Sequence, residues 1–215
     1  MSSSTAEIKL LIVDIDGTIA GESNQVSTRV KQAIQAARAQ GVRVGIATGR
    51  MYKSALRFHH EIEADMPIIA YQGAWIQDPA TGITHRHCPV PVDIAKELID
   101  YFEQPHLLDE LSIGRSGIGV TPVTDLRTVL TDRPTKLLAM SEDIDLIQHL
   151  LQDLRQRYSS EQLHITTSVP IFLETTQSGI DKGNAIDYVA KNLLGITAEN
   201  VLAIGDNYND VEIVA

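Results

Sequence analysis

The 215-residue sequence has a single cysteine, Cys88, which excludes an internal disulfide framework and a cysteine-rich zinc site. A reducing compartment is the expectation. There is no run of lysine or arginine, and 28 acidic against 18 basic residues give a formal net charge of -10. The electrostatic footprint of a nucleic-acid-binding surface is therefore missing. No apolar stretch approaches the length of a membrane span, and residues 1–7 have neither the basic nor the apolar region of a secretion signal. The expected location is cytoplasmic, with no membrane partner. Gly-x-Ser-x-Gly and Gly-x-x-x-x-Gly-Lys-Ser/Thr are both absent, which removes the hydrolase elbow and the P-loop. A thiol-phosphatase loop would need an arginine six positions after Cys88, where Ile94 stands.

What remains is an ordinary globular composition, 43% hydrophobic and 21% charged, long enough for a core domain carrying a smaller insert. Residues 8–13 form a short, nearly continuous apolar run, the pattern of a strand buried on both faces of a parallel sheet. Residues 27–40 then show helical spacing between Ser27, a capping residue, and Gly41, a closing one. Strand, helix and strand follow at 42–47, 52–62 and 67–71. That alternation predicts a doubly wound, Rossmann-like parallel α/β sheet.

After Gly73 the pattern changes. A hairpin is expected around the turn at residues 78–82, helices at 92–102 and 144–157, and strands at 163–166 and 171–174. These suggest an α+β insert over residues 74–175, leaving 1–73 and 176–215 as the core. A helix at 182–194 and a buried strand at 201–204 restore the alternation.

Ligands of open α/β sheets collect at the carboxyl ends of the strands, and four strand exits here carry chemistry. Asp14 and Asp16 stand two apart, so extended geometry would lean both side chains to one face, where they repel unless given a cation or different protonation states. Gly17 permits a tight exit and Thr18 adds a hydroxyl. Thr48-Gly49-Arg50 offers a phosphate cradle. Lys182 could hold a phosphoryl oxygen, or keep a carboxylate ionised. Asp206, Asn209 and Asp210 supply hard oxygen donors of the kind that suits Mg²⁺. His85 and His87, with His59 and His60 as further candidates, lack an evident third metal ligand and are read as surface or hairpin residues.

Asp14-x-Asp16-Gly17-Thr18, Thr48, Lys182 and Gly205-Asp206-x-x-Asn209-Asp210, in this order, resemble the haloacid dehalogenase superfamily, and within it the Cof-type, subclass IIB phosphatases. The resemblance implies a HAD-like catalytic core with an α+β cap domain. It implies hydrolysis of small phosphorylated metabolites, sugar phosphates among them, through an aspartyl-phosphate on Asp14, with Asp16 as general acid and base. Mg²⁺ would be held by Asp14, the main-chain carbonyl of Asp16, and Asp206, supported by Asn209 or Asp210. Thr48 and Lys182 would bind phosphate oxygens, together with Gly17 and Thr18. A phosphomutase, a receiver-like phospho-accepting module and a non-catalytic remnant are the alternatives. Three features depart from the family pattern. Gln72 replaces Asn before Gly73, the insert is short around residues 109–119, and the chain stops at Ala215 where the family continues, so the core is expected to be C-terminally incomplete.

Overall fold

The computed structural model describes residues 7–103, 122–130, 134–167, 169–206 and 210. In chain order the elements are β1 (Leu10–Val13), α1 (Thr28–Ala39), β2 (Arg43–Ala47), α2 (Tyr52–Glu61), β3 (Ile68–Ala70), β4 (Trp75–Gln77), β5 (Thr84–His87) and α3 (Val92–Phe102). They continue with β6 (Leu137–Met140), α4 (Ile144–Arg157), β7 (Leu163–Thr166), β8 (Phe172–Gln177), α5 (Lys182–Tyr188) and β9 (Val201–Ile204). The chain divides into two compact units, Met1–Arg86 with Asp181–Ala215, and His87–Ile180.

The first unit is built on a six-stranded sheet in the order β5-β4-β3-β2-β1-β9. β1 lies parallel between β2 and β9, and β3 extends the parallel run. All four residues of β1 are buried because both sheet faces are covered. Leu11 and Val13 pack with Val44, Ile46, Ile34 and Phe58 on the side of α1 and α2. Leu10 and Ile12 pack with Ile69, Ala185, Ile186 and Val189 on the side of α5. Each such side chain contributes about 1.5–3 kcal/mol by leaving water. Pairwise alternation along one strand thus stitches two helical layers to one sheet.

Side-chain caps start α1 and α5. Ser27 Oγ accepts from Val30 N, and Asp181 Oδ1 accepts from Asn184 N at 2.7 Å. α5 begins at Lys182, continues past Tyr188 as a wider, π-type winding over Val189–Leu194, and closes at Gly195 with φ +65°. The hairpin forms around an Asx turn in which Asp78 Oδ1 accepts from Ala80 N at 2.8 Å. Its strand β4 pairs antiparallel with β3, Ile69 opposite Ile76. The six-stranded sheet therefore runs on through β4 and β5, beyond residue 73, and the second unit begins at His87.

That second unit holds an antiparallel sheet in the order β6-β8-β7. Val90, Ala95 and Leu98 pack with Ile147, Leu150 and Leu154 of α4, and with Leu163, Ile165 and Leu173 of the sheet. The strand β6 was not apparent from sequence, and β8 runs to Gln177. Among the described residues no helix is long and apolar enough to cross a membrane. The short stretch at 109–119 lies outside the described residues.

Candidate active site

β1 ends at Val13, and Asp14 is the first residue beyond it, its N–H donating to Ile204 O of the neighbouring strand at 2.9 Å. The carboxylate is 5% exposed. The chain then turns: Ile19 N and Ala20 N both donate to Ile15 O, and Gly17 takes φ +83° while its N–H donates to Ala20 O. This turn breaks the strand alternation. The two carboxylates have different environments: Asp14 is buried, and the Asp16 side chain is 60% exposed.

Asp14 meets a lysine 168 positions away. Lys182, in the first turn of α5, is 1% exposed, and its Nζ donates to Asp14 Oδ1 at 2.7 Å and to Asp210 Oδ1 at 2.6 Å. The other Asp210 oxygen accepts from Asp206 N at 3.2 Å. Asp14, Asp206 and Asp210 can each present an oxygen within 4.8 Å of the others. Thr18 Oγ1 donates to Asp206 Oδ1 at 2.8 Å. A Cβ on Gly17 would overlap the Asp206 carboxylate, so the missing side chain is what lets that group close on the turn. Burial pushes the Asp14 carboxyl up to about 6, with the Lys182 ammonium opposing and the Asp210 charge adding to the rise.

Thr48 follows β2, fully buried, with its hydroxyl accepting from Arg50 N at 3.1 Å. Its main chain is fixed on both sides, N–H to Ile69 O and carbonyl to Gln72 N. Tyr71, Gln72 and Gly73 have φ of +51°, +58° and +102°, a left-handed run that turns the chain back under Thr48. At Gly73 a Cβ would strike Asp181 O, and at Gly49 it would meet Gln72 Nε2 at 2.5 Å.

The structure thus brings Asp14, Lys182, Asp206 and Asp210 together, with Gly17 and Thr18 against Asp206. Asp16 stands outside that group, its carboxylate held by Arg50, a contact that sequence reasoning did not assign. The one signal for it was a cation two positions after Thr48. Asn209 lies outside the described residues. His87 bonds to Thr135 in the second unit, and His59 is a buried side chain on Met66 O, so neither belongs to this cluster.

A buried carboxylate-lysine cluster at the strand ends of an open α/β sheet is where enzymes of this architecture carry their active sites. A family model described as haloacid dehalogenase-like hydrolase matches residues 11–122 and 118–215, and the chain belongs to that family. A Streptococcus pyogenes serotype M6 protein provisionally named a phosphatase is 30% identical, over 97% of this chain and 85% of its own length. The 5-amino-6-(5-phospho-D-ribitylamino)uracil phosphatase YitU of Bacillus subtilis is 26% identical, over 95% of this chain and 82% of its own. The fold is shared with a solved haloacid dehalogenase-like hydrolase from Bacteroides thetaiotaomicron, with a TM-score of 0.83 and 24% identity over 97% of this chain and 85% of that one.

Proposed function

We propose that the chain is a Mg²⁺-dependent phosphomonoesterase that passes a phosphoryl group from a small phosphorylated metabolite to Asp14 and then to water. The observation that carries this reading is the buried Lys182 ammonium shared between Asp14 and Asp210, with Asp206 alongside. A nucleophilic carboxylate must be ionised when it attacks, and a fixed cation at 2.7 Å favours that form against the burial that opposes it.

Three carboxylates whose oxygens lie within 4.8 Å of one another fit a hard divalent cation. Asp14, Asp206 and Asp210 would hold it, joined by the main-chain carbonyl of Asp16. When bound, it would supply charge neutralisation at the phosphoryl oxygens. In the first half-reaction an Asp14 oxygen attacks phosphorus in line as the bond to the leaving oxygen breaks, and Asp16 delivers a proton to that oxygen. In the second, a water oxygen attacks the phosphorus of the aspartyl-phosphate, Asp16 takes the water's proton, and the Asp14–phosphorus bond breaks. Thr48 and Lys182 would hold the remaining phosphoryl oxygens, together with Gly17 and Thr18 of the turn after β1.

The substrate class we favour is a phosphate monoester of a sugar or sugar-alcohol chain. YitU is named for such a ribityl phosphate, and two further Bacillus subtilis relatives carry the same name. The residues of the second unit are the proposed cap that selects among such esters. The test is Mg²⁺-dependent phosphate release from p-nitrophenyl phosphate by the full chain beside Asp14→Asn and Asp16→Asn. Asp14→Asn should abolish turnover, and Asp16→Asn should slow it by roughly 10²- to 10⁴-fold. A folded chain that releases no phosphate with Mg²⁺ would sink the proposal, as would full activity in Asp14→Asn.

A further inference from the structure

Asp16 presents a problem of geometry. Its side chain is 60% exposed, and an exposed aspartate samples several rotamers, whereas proton transfer requires one placement held within hydrogen-bond reach of the reacting oxygen. Arg50 removes that freedom. Its Nε donates to Asp16 Oδ2 at 2.7 Å and its second terminal nitrogen to Asp16 Oδ1 at 2.5 Å, a fork that fixes both the position and the plane of the carboxylate.

The arginine is itself anchored. Its guanidinium lies over the Phe58 ring, 4.8 Å from the centroid, and Phe58 is a fully buried core residue. The nitrogen that binds Asp16 also donates to Asn24 Oδ1 at 2.8 Å. Asn24 sits at φ +55°, with its N–H on Gly21 O and its carbonyl accepting from Arg57 at 2.9 Å. Asn24 takes a left-handed conformation that asparagine tolerates and from which its side chain meets the Arg50 guanidinium. The arrangement runs as a strut from the core, through Phe58 and Asn24 to Arg50, and ends on the one carboxylate that has to be aimed.

We infer that Arg50 is a positioning residue for Asp16, setting the carboxylate's orientation for proton exchange with the leaving oxygen and the attacking water. The inference rests on the reading of Asp16 as the acid and base. Arg50 makes no bond to the reacting atoms in this role, and lysine cannot replace it, because an ammonium has no planar fork.

The experiment is a double-mutant cycle on the full chain with Mg²⁺, using Arg50→Gln and Arg50→Lys in the wild-type and Asp16→Asn backgrounds. Each is assayed on p-nitrophenyl phosphate and on glycerol 2-phosphate, whose alkoxide leaves poorly without a proton. Both Arg50 variants should lower kcat about 10- to 100-fold with little change in KM. The loss should be larger for glycerol 2-phosphate and should vanish in the Asp16→Asn background. With p-nitrophenyl phosphate, a pre-steady-state burst of nitrophenolate should precede the slowed turnover. A raised KM that persists in the Asp16→Asn background would show that Arg50 holds phosphate directly and overturn the inference. So would unchanged kcat in a chain that Asp16→Asn slows. Arg50→Lys keeps the charge and most of the stem, so the cycle stands even if Arg50→Gln does not fold. If the wild-type chain does not turn over, or Asp16→Asn is fully active, the phosphatase reading itself has failed and this inference falls with it.

Discussion

Replacing Lys182 by methionine keeps most of its length and removes its charge, leaving Asp14 and Asp210, each 5% exposed, without their shared cation. The deleted ammonium lies 2.7 Å from Asp14 Oδ1 and 2.6 Å from Asp210 Oδ1, and breaking a buried pair by deleting one partner costs about 3–5 kcal/mol. At roughly 2–4 °C per kcal/mol for a chain of this size, the first unit of Lys182→Met should melt about 10 °C below wild type in EDTA near pH 8. The pH dependence has a definite sign. The folded-state value for Asp14, about 6, lies above its ordinary 3.8, so the folded protein binds the extra proton and is relatively stabilised as pH falls through that window. Without Lys182 that preference strengthens, and the penalty should shrink towards about pH 5 as a proton replaces the ammonium. Mg²⁺ should raise the melting temperature more in Lys182→Met than in wild type, because the cation finds one more uncompensated negative charge. A variant that melts within about 2 °C of wild type in EDTA, with no pH or Mg²⁺ dependence of the difference, would refute the reasoning.

Two further substitutions probe the turn after β1 and the buried histidine. Gly17→Ala places a methyl where the Asp206 carboxylate sits and strains a residue at φ +83°. We expect the Mg²⁺ concentration for half-maximal activity to rise about 10-fold or more; an unchanged Mg²⁺ titration would exclude Asp206 from the metal site. His59 donates through Nε2 to Met66 O at 2.9 Å, its buried Nδ1 has no hydrogen-bond partner among the described residues, and burial holds its pKa below the ordinary 6.5. The unfolded chain therefore takes up the proton first as pH falls, and stability is full above about 6.5 and lost below it. His59→Leu should flatten that acid limb in urea titrations between about pH 8 and pH 5, and a slope identical to wild type would count against a neutral buried imidazole.

The strand exits were legible because a parallel sheet with helices on both faces demands continuous apolar runs, and such runs end abruptly in this sequence at Val13 and Ala47; the run ending at Ile204, expected to be a buried strand, lies at the edge of the sheet with Leu202 and Ile204 exposed. The capping residues Ser27 and Asp181 were equally plain, since each has a side-chain oxygen just ahead of a periodic segment. Other features depend on distant partners. Leu137–Met140 consists of residues that favour a helix, and only pairing with β8 makes it a strand. The hairpin at β4 and β5 announces its turn locally, but nothing local says which sheet it joins. Ile76 settles that by pairing with Ile69. The fork between Arg50 and Asp16 spans 34 positions and depends on rotamers, so no spacing rule could reveal it.

Asp14 and Asp16 show how much one turn decides. Strand periodicity alone would set both carboxylates on one face with a common environment. β1 ends at Val13 and the chain winds through Gly17, and each carboxylate has its own cation: Lys182 in the core for Asp14, Arg50 nearer the surface for Asp16. The division matches the two roles proposed for them. A nucleophile gains from a dry, fixed site in which its charge is stabilised only by groups that also face the phosphoryl oxygens. An acid and base must exchange its proton with water once in each cycle, so it needs access to solvent along with a fixed orientation, and an exposed carboxylate on a rigid arginine fork provides both. Exchanging the two environments, even with every residue retained, would leave a nucleophile quenched by solvent and a proton donor sealed from its source.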